Sequence, residues 1–260
     1  MRSKYNLSVA IATYNEEKNI GRCLEAVKDW VDEIIVVDGQ SSDKTVEIAE
    51  KYGAKVFVTT NKPIFHINKQ SAMTISQGEW ILQLDADEVV SEELREEILT
   101  KLKKKNTVAY YIPRKNYFLG KWLKKTGQYP DYVIRFFRKG RAKLPCKSVH
   151  EQMVVDGKIG YLKNHLSHYP YPSFSEYLTK SNRYTTLSAQ ELLDKREKPS
   201  FRLFIKSYLQ MEKTFWLMYL RRKGFLDGFP GFVFSTYSAL HHITAYVKFW
   251  EKYKKAQKLK

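Results

Sequence analysis

Trp80-Ile81-Leu82-Gln83-Leu84-Asp85-Ala86-Asp87-Glu88 sets a largely apolar run directly against three carboxylates. Such a run reads as a buried strand, and ligands in open α/β sheets gather beyond the carboxyl ends of strands. Three other short runs, residues 7–12, 34–37 and 56–58, precede it and alternate with helical patterns. Each is apolar at successive positions, as a strand covered on both faces requires. The predicted fold is α/β, with a Rossmann-like, mostly parallel sheet.

The connecting segments support that order. The first helix is expected to follow Asn15 as its N-cap, with Glu16 and Glu17 in its first turn and Ile20, Leu24, Val27 and Val31 on one face. The second begins near Asp43 and stops at Gly53. A later helix starts at Ser91, places Glu92 and Glu93 first and Lys103, Lys104 and Lys105 last, and so matches the helix dipole at both ends. Beyond Asn106 the texture changes to aromatic and basic strands at residues 108–113 and 132–138. Asp156-Gly157 between residues 151–155 and 158–162 predicts a hairpin, which gives the sheet an antiparallel part. From Ser173 onward the pattern is helical.

With 45 Lys and Arg against 28 Asp and Glu, the net charge is +17, and much of the excess lies after residue 100. That balance points to polyanions: nucleic acid, anionic lipid head groups or a phosphate-bearing substrate. The chain contains no RRM, zinc-finger or helix-turn-helix pattern, so a basic nucleic-acid-binding module ranks last among the readings. Apolar residues make up 43% and charged residues 28% of the sequence, which excludes a disordered or low-complexity chain. Cys23 and Cys146 fall in no metal-ligand spacing, and the first residues lack the apolar stretch of a secretory signal. A cytoplasmic location, peripheral at the inner face of a membrane, is the expectation.

The membrane enters through the C-terminal third. Residues 229–247 contain no Asp, Glu, Lys or Arg, a stretch that meets the spanning threshold of roughly 18 residues. Pro230, Ser235, His241 and His242 would make insertion costly, so an amphipathic helix is the better reading. Phe201, Phe204, Tyr208, Phe215, Trp216 and Tyr219 interleave with Lys206, Lys213, Arg221, Arg222 and Lys223, the composition of helices at an anionic lipid interface. The competing reading packs these aromatics onto the N-terminal α/β domain or a second copy of the chain.

Polar residues follow each predicted strand: Thr13, Tyr14, Asn15 and Glu16 after the first, Asp38, Gly39 and Ser41 after the second, Asp85 to Glu88 after the fourth. Neither GxGxxG nor GxxxxGK[ST] is present, which argues against a dinucleotide enzyme or a P-loop NTPase. In Asp85-Ala86-Asp87 one carboxylate can reach a ribose hydroxyl while the next ligates Mg²⁺ or Mn²⁺, ions held by one or two carboxylates plus substrate phosphates. An isolated acidic pair can equally open a solvated helix; its place at a strand end favours the site.

Residues 9–16, residues 34–45 and residues 78–88, taken in that order, resemble the glycosyltransferase family 2 pattern on the GT-A fold. Ser148-Val149-His150-Glu151 and His168-Tyr169 make the chain similar to the lipopolysaccharide core β-glucosyltransferase branch. The resemblance implies a GT-A catalytic domain over residues 1–170, with a nucleotide-sugar donor half at 1–105 and an acceptor half at 106–170. Residues 171–260 would form a helical extension that associates with a membrane or a second copy. It also implies that Thr13, Tyr14, Asn15, Glu16 and Asp38 hold the nucleobase and ribose, that Asp85 and Ala86 lie against the donor, that Asp87 ligates the divalent cation, and that Glu88 supports the site. His168 is a candidate further metal ligand, with a structural hydrogen bond as its alternative.

Many relatives carry the base in a Glu-Asp pair; this chain has His150-Glu151, and the base maps onto Glu151. Inversion by direct displacement needs a carboxylate within reach of the acceptor hydroxyl, and Asp131 is the second choice after Glu151. Lys69 and Gln70, with His66 nearby, sit where such enzymes approach the donor sugar and phosphate; a solvated helix face is the alternative. Arg135 and Arg138 flank Phe136 and Phe137 and are read as sharing one face, as a diphosphate clamp or as structural ion pairs. The expected reaction transfers a sugar, glucose from UDP-glucose in the favoured case, to a lipid-linked glycan such as a lipopolysaccharide or lipooligosaccharide core. A polyprenyl phosphate is the alternative acceptor.

Overall fold

Four strands, β1 (Leu7–Thr13), β2 (Glu33–Asp38), β3 (Lys55–Val58) and β4 (Trp80–Asp85), are joined by α1 (Ile20–Glu25), α2 (Thr45–Lys51) and α3 (His66–Ile75). In this computed structural model, which describes residues 6–62, 64–104, 106–146 and 152–258, they lie parallel in the order β3-β2-β1-β4. Two residue layers cover the sheet. Leu7, Val9, Ile11, Val36, Leu82 and Leu84 bury one face against Ile20, Leu24 and Val27 of the α1 segment, while Ala10, Ile35, Val37 and Ile81 bury the other against Ala72 and Met73 of α3. β3 differs from the sequence reading: as the edge strand it leaves Phe57 42% and Val58 60% exposed.

The first helix also starts later than its sequence suggests. Asn15 is in the left-handed region at φ 55°, and α1 begins at Ile20. Asn15 Oδ1 instead accepts the Ser42 N–H at 2.8 Å, and its own N–H donates to Ser41 Oγ at 2.8 Å. A short amide side chain that can serve as a local acceptor tolerates this conformation best. α2 ends as expected: Gly53, at φ 78°, donates to the Glu50 carbonyl and Ala54 to that of Ala49, the paired bonds of a Schellman stop.

The second half of the sheet is antiparallel. β5 (Glu88–Val90) precedes α4 (Glu92–Lys101), whose cap Ser91 accepts from the Leu94 N–H. β6 (Ala109–Phe118), β7 (Lys121–Trp122), β8 (Asp131–Arg138), β9 (Ala142–Lys143), β10 (Val154–Val155), β11 (Ile159–Tyr161) and β12 (Leu166–His168) follow. β8 runs antiparallel to both β4 and β6, and the order continues β4-β8-β6-β12-β5. Among the described residues the expected hairpin at Asp156-Gly157 is not formed: β10 pairs back with β9, while β11 runs parallel to β6. Gly157, at φ 132°, packs where a Cβ would meet the Val108 side chain at 2.8 Å, so both its backbone conformation and its surroundings favour glycine.

The chain divides into two compact units, residues to Arg114 with Asp131–His168, and Lys115–Pro130 with Tyr169–Lys260. The second unit is helical: α5 (Phe174–Asp194), α6 (Phe201–Trp216), a π-turn at Leu217–Arg221, a 3₁₀ turn at Gly224–Asp227 and α7 (Gly228–Lys258). Phe118 and Leu123 join Tyr177, Met218, Val233 and Phe234 in its core. Among the described residues no helix is long and apolar enough to cross a membrane.

Candidate active site

The carboxyl ends of β1 and β2 are stitched together by the residues that follow them. Asp38 is fully buried; its Oδ1 accepts from Thr13 Oγ1 at 2.9 Å and Ser41 Oγ at 2.6 Å, and its Oδ2 accepts the Ser41 N–H at 2.7 Å. The Glu16 N–H donates to Thr45 Oγ1 at 2.8 Å and the Glu17 N–H to Asp43 Oδ2 at 3.1 Å. A buried carboxylate is stable only with such donors. The result is a rigid double loop from which Tyr14 projects, 47% exposed.

At the end of β4 lies a second network. Asp85 Oδ1 pairs with Lys69 Nζ, and Asp85 Oδ2 accepts from Arg135 Nη2 at 2.7 Å. Burial alone would raise the Asp85 carboxyl; the Arg135 and Lys69 charges and the Lys69 hydrogen bond overcome it and hold the group well below the usual carboxylate range. Glu88 has no exposed surface and is the hub of the network. It accepts the Asp85 N–H at 3.0 Å, Arg135 Nε at 3.0 Å and Arg114 Nη1 at 3.2 Å. Arg114 Nη2 in turn donates to Asp131 Oδ2 at 2.6 Å. Three cations and three carboxylates, all linked, satisfy the condition under which buried charges persist.

Arg135 reaches this network because of a β-bulge. Tyr110 pairs with Phe136 and Tyr111 with Ile134, so Arg135 is the extra residue of β8, and a bulge re-aims such a side chain. Arg135 and Arg138 enter separate clusters rather than one shared face. Arg138 stacks over Trp80 at 4.6 Å and pairs with Glu79, at the opposite end of β4. Both arginines make structural ion pairs.

Asp87 and His168 are 81 positions apart in sequence and meet here: His168 Nε2 is 3.5 Å from Asp87 Oδ2, with the side chains 15% and 13% exposed. β12 brings the histidine in by pairing antiparallel with β5, where His168 lies opposite Glu88. One carboxylate oxygen and one imidazole nitrogen at this separation fit two ligands of a single Mg²⁺ or Mn²⁺. Among the described residues no set of three His, Cys, Asp or Glu ligands converges; Mg²⁺ is commonly bound by one or two carboxylates plus substrate phosphates.

Lys69 is buried, so the solvated-face reading does not apply to it. Gln70 Oε1 accepts the Leu144 N–H at 2.8 Å, and His66 stacks edge-on against Phe65 at 4.3 Å. Ala86 is 4% exposed and belongs to the core layer. Glu151, with His150, lies outside the described residues. Two members of the network carry no motif: Gln83, whose Oε1 accepts from Arg135 Nη1 at 2.6 Å and whose Nε2 donates to Asp85 Oδ1 at 3.1 Å, and Arg114. Gln83 was signalled only by being polar inside an apolar strand, where a polar group must find partners.

Comparison with known proteins agrees with this geometry. The family described as "Glycosyl transferase family 2" matches residues 8–169. A glycosyltransferase of Rickettsia felis is 33% identical over 247 residues, covering 88% of this chain and 84% of the relative. The lipopolysaccharide core biosynthesis glycosyltransferase LpsC of Rhizobium meliloti is 26% identical over 270 residues, covering 97% and 95%. Among solved structures, S. aureus TarS in complex with UDP-GlcNAc superposes with a TM-score of 0.52 at 17% identity, covering 98% of this chain and 92% of that one. The mannosyltransferase PcManGT of Pyrobaculum calidifontis in complex with GDP-Man and Mn²⁺ gives 0.53 at 15% identity, covering 97% and 88%. The fold is that of the GT-A glycosyltransferases, and the chain belongs to glycosyl transferase family 2.

Proposed function

We propose that the protein is an inverting, divalent-metal-dependent glycosyltransferase. It moves a sugar, glucose from UDP-glucose in the favoured case, onto a hydroxyl of a lipid-linked glycan such as a lipopolysaccharide or lipooligosaccharide core. The observation that carries this reading is the meeting of Asp87 and His168 at 3.5 Å beside the charge-paired Asp85. The acceptor class is supported by the likeness to LpsC over nearly the whole of both chains.

In this reading the double loop of Thr13, Tyr14, Asn15, Glu16 and Asp38 receives the nucleobase and ribose, with the Tyr14 ring offered for stacking. Asp85 and the Ala86 backbone border the ribose and Lys69 the diphosphate, while Asp87 and His168 hold the cation. When bound, that cation neutralises the charge of the departing diphosphate. Glu151 takes the proton of the acceptor hydroxyl as its oxygen bonds to the anomeric carbon and the bond to the diphosphate breaks on the opposite face. Asp131 is the second candidate, and its Oδ2 is shared by Arg114 Nε and Nη2, which favours a positioning role for it.

The test is transfer of labelled sugar to isolated core acceptor, with calorimetric binding of UDP, ADP, GDP and CDP with and without Mn²⁺. Glu151→Gln should abolish turnover and leave nucleotide binding intact. Transfer to a polyprenyl phosphate that survives Glu151→Gln would favour the alternative acceptor, which is already anionic and needs no base. Absence of any metal-linked nucleotide binding would remove the reading.

A further inference from the structure

The second unit holds nearly all of the protein's charge excess. Lys115–Pro130 with Tyr169–Lys260 contain 21 Lys and Arg against seven Asp and Glu, so 14 of the 17 net positive charges lie there. Part of this charge is ordered along α6, which presents three rows. Phe204, Ser207 and Thr214 turn inward: Phe204 packs on Tyr246 at 5.5 Å, Ser207 is buried, and Thr214 Oγ1 is 3.0 Å from His242 Nε2. Phe201, Ile205, Tyr208, Leu209 and Trp216 form an outward row, interrupted by Glu212, which accepts the Trp216 Nε1–H at 3.1 Å; Phe201 is 77% and Leu209 59% exposed. Arg202, Lys206 and Lys213 stand beside that row at helical spacing and, with Leu203, Ile205 and Leu209, line a shallow groove.

Exposed apolar side chains also stand in the turn after α6. Leu226 is 57% and Phe229 72% exposed, next to exposed Arg221, Arg222 and Lys223. This turn is not a frayed end. Asp227 is buried and accepts the N–H groups of Lys124 and Lys125 at 3.1 and 2.8 Å, and Gly231 lies so close to the Gly224 carbonyl that a Cβ would stand 2.2 Å from its oxygen. The fold holds large apolar side chains out in water, flanked by cations.

We propose that α6 and the turn at residues 217–229 form a docking surface for an anionic lipid bilayer, with the apolar row entering the acyl boundary and the basic row on the lipid phosphates. Charge complementarity selects this occupant. An isologous contact with a second copy would set Arg202, Lys206 and Lys213 near their own equivalents, like charge against like. A nucleic acid would satisfy the cations and leave the aliphatic Ile205, Leu209 and Leu226 without an apolar phase. A bilayer answers both rows, as interfacial helices do. The surface deepens the proposed function, on which its link to a lipid-linked acceptor rests, and it is testable without that function.

The experiment is co-sedimentation of the full chain with vesicles of phosphatidylcholine, or of phosphatidylcholine with phosphatidylglycerol. Two variants are compared after their helix content and melting have been matched to the parent: Phe201→Ser/Leu209→Ser/Trp216→Ser, and Arg202→Gln/Lys206→Gln/Lys213→Gln. The parent should bind the anionic vesicles and leave the neutral ones. Removing three basic residues should weaken binding to the anionic vesicles by roughly 100-fold, at about 1 kcal/mol per residue near the surface. The apolar variant should lose binding to the anionic vesicles, and Trp216 of the parent should be quenched by bromine-labelled acyl chains, a signal absent in Trp216→Phe. No vesicle binding by the parent, equal binding to neutral vesicles, or a parent dimer that the apolar variant converts to monomer would each overturn the proposal. Nucleotide calorimetry run in parallel separates the two readings, since vesicle binding without nucleotide binding sinks the function and leaves the surface standing.

Discussion

The Arg135 guanidinium donates to Asp85 Oδ2 at 2.7 Å from a strand position that has no partner in β6. The same side chain is bonded to Glu88 through Nε, so one bulged residue fixes both carboxylates that frame Asp87. The bulge thus serves the site, as bulges beside active sites commonly do.

Replacing Arg135 should therefore damage stability and donor binding together. Arg135→Met leaves Glu88, which has no exposed surface, with Arg114 as its remaining cation, and breaking a buried pair costs about 3–5 kcal/mol. Arg135→Lys supplies a point charge in place of a fork and should recover less than half of the loss. Urea unfolding of the two variants measures this; a loss under about 1 kcal/mol for Arg135→Met, the range of a surface pair, would show that the network does not hold the site.

Asp85 predicts a pH dependence of definite sign. Its folded carboxyl titrates well below the unfolded value, so its contribution is complete above about pH 4 and is lost as pH falls through the folded value. Asp85→Asn should then be less stable than the parent near neutrality, and the gap should narrow steadily below about pH 4. Parallel unfolding curves with a gap that does not change with pH would contradict the assignment.

How much of this could be read from the chain depends on range. The parallel strands were legible because β-branched runs and their caps are local, and the acidic cluster was legible because Asp85, Asp87 and Glu88 follow a strand end within four residues. The cations that hold it were not. Arg114 and Arg135 lie 26 and 47 positions from Glu88, and their approach depends on strand pairing and a bulge that leave no periodic trace. The reading of Asp156-Gly157 as a hairpin failed for the same reason, since β10 and β11 each prefer a partner elsewhere in the chain. Asn15 failed likewise: its side chain accepts the N–H of Ser42, 27 positions away, instead of capping the helix that follows it.

Asp87 and His168 should act as one unit toward the metal. Asp87→Ala and His168→Ala should each reduce Mn²⁺-dependent nucleotide binding at least tenfold, roughly 1.4 kcal/mol, while metal-independent binding changes little. Because both would ligate the same ion, the double variant should be scarcely worse than the weaker single variant, a non-additivity expected of coupled neighbours. Calorimetric titrations with and without Mn²⁺ read all three. Strict additivity would mean that His168 acts apart from the ion.

Asp227 should prove a structural clamp of the second unit. The segment Lys115–Pro130 leaves β6 and joins the C-terminal helices, and its backbone is held at Lys124 and Lys125 by the two oxygens of this one buried carboxylate. Asp227→Ala strands two N–H donors, each costing about 1–3 kcal/mol if left unpaired. Asp227→Asn keeps one acceptor oxygen and should lose about half as much. The loss should appear first as faster amide exchange at Lys124 and Lys125, because local opening precedes global unfolding where contacts are few. Unchanged exchange at those two amides in Asp227→Ala would mean that Phe118 and Leu123, packed among Tyr177, Met218 and Phe234, hold the segment without the carboxylate.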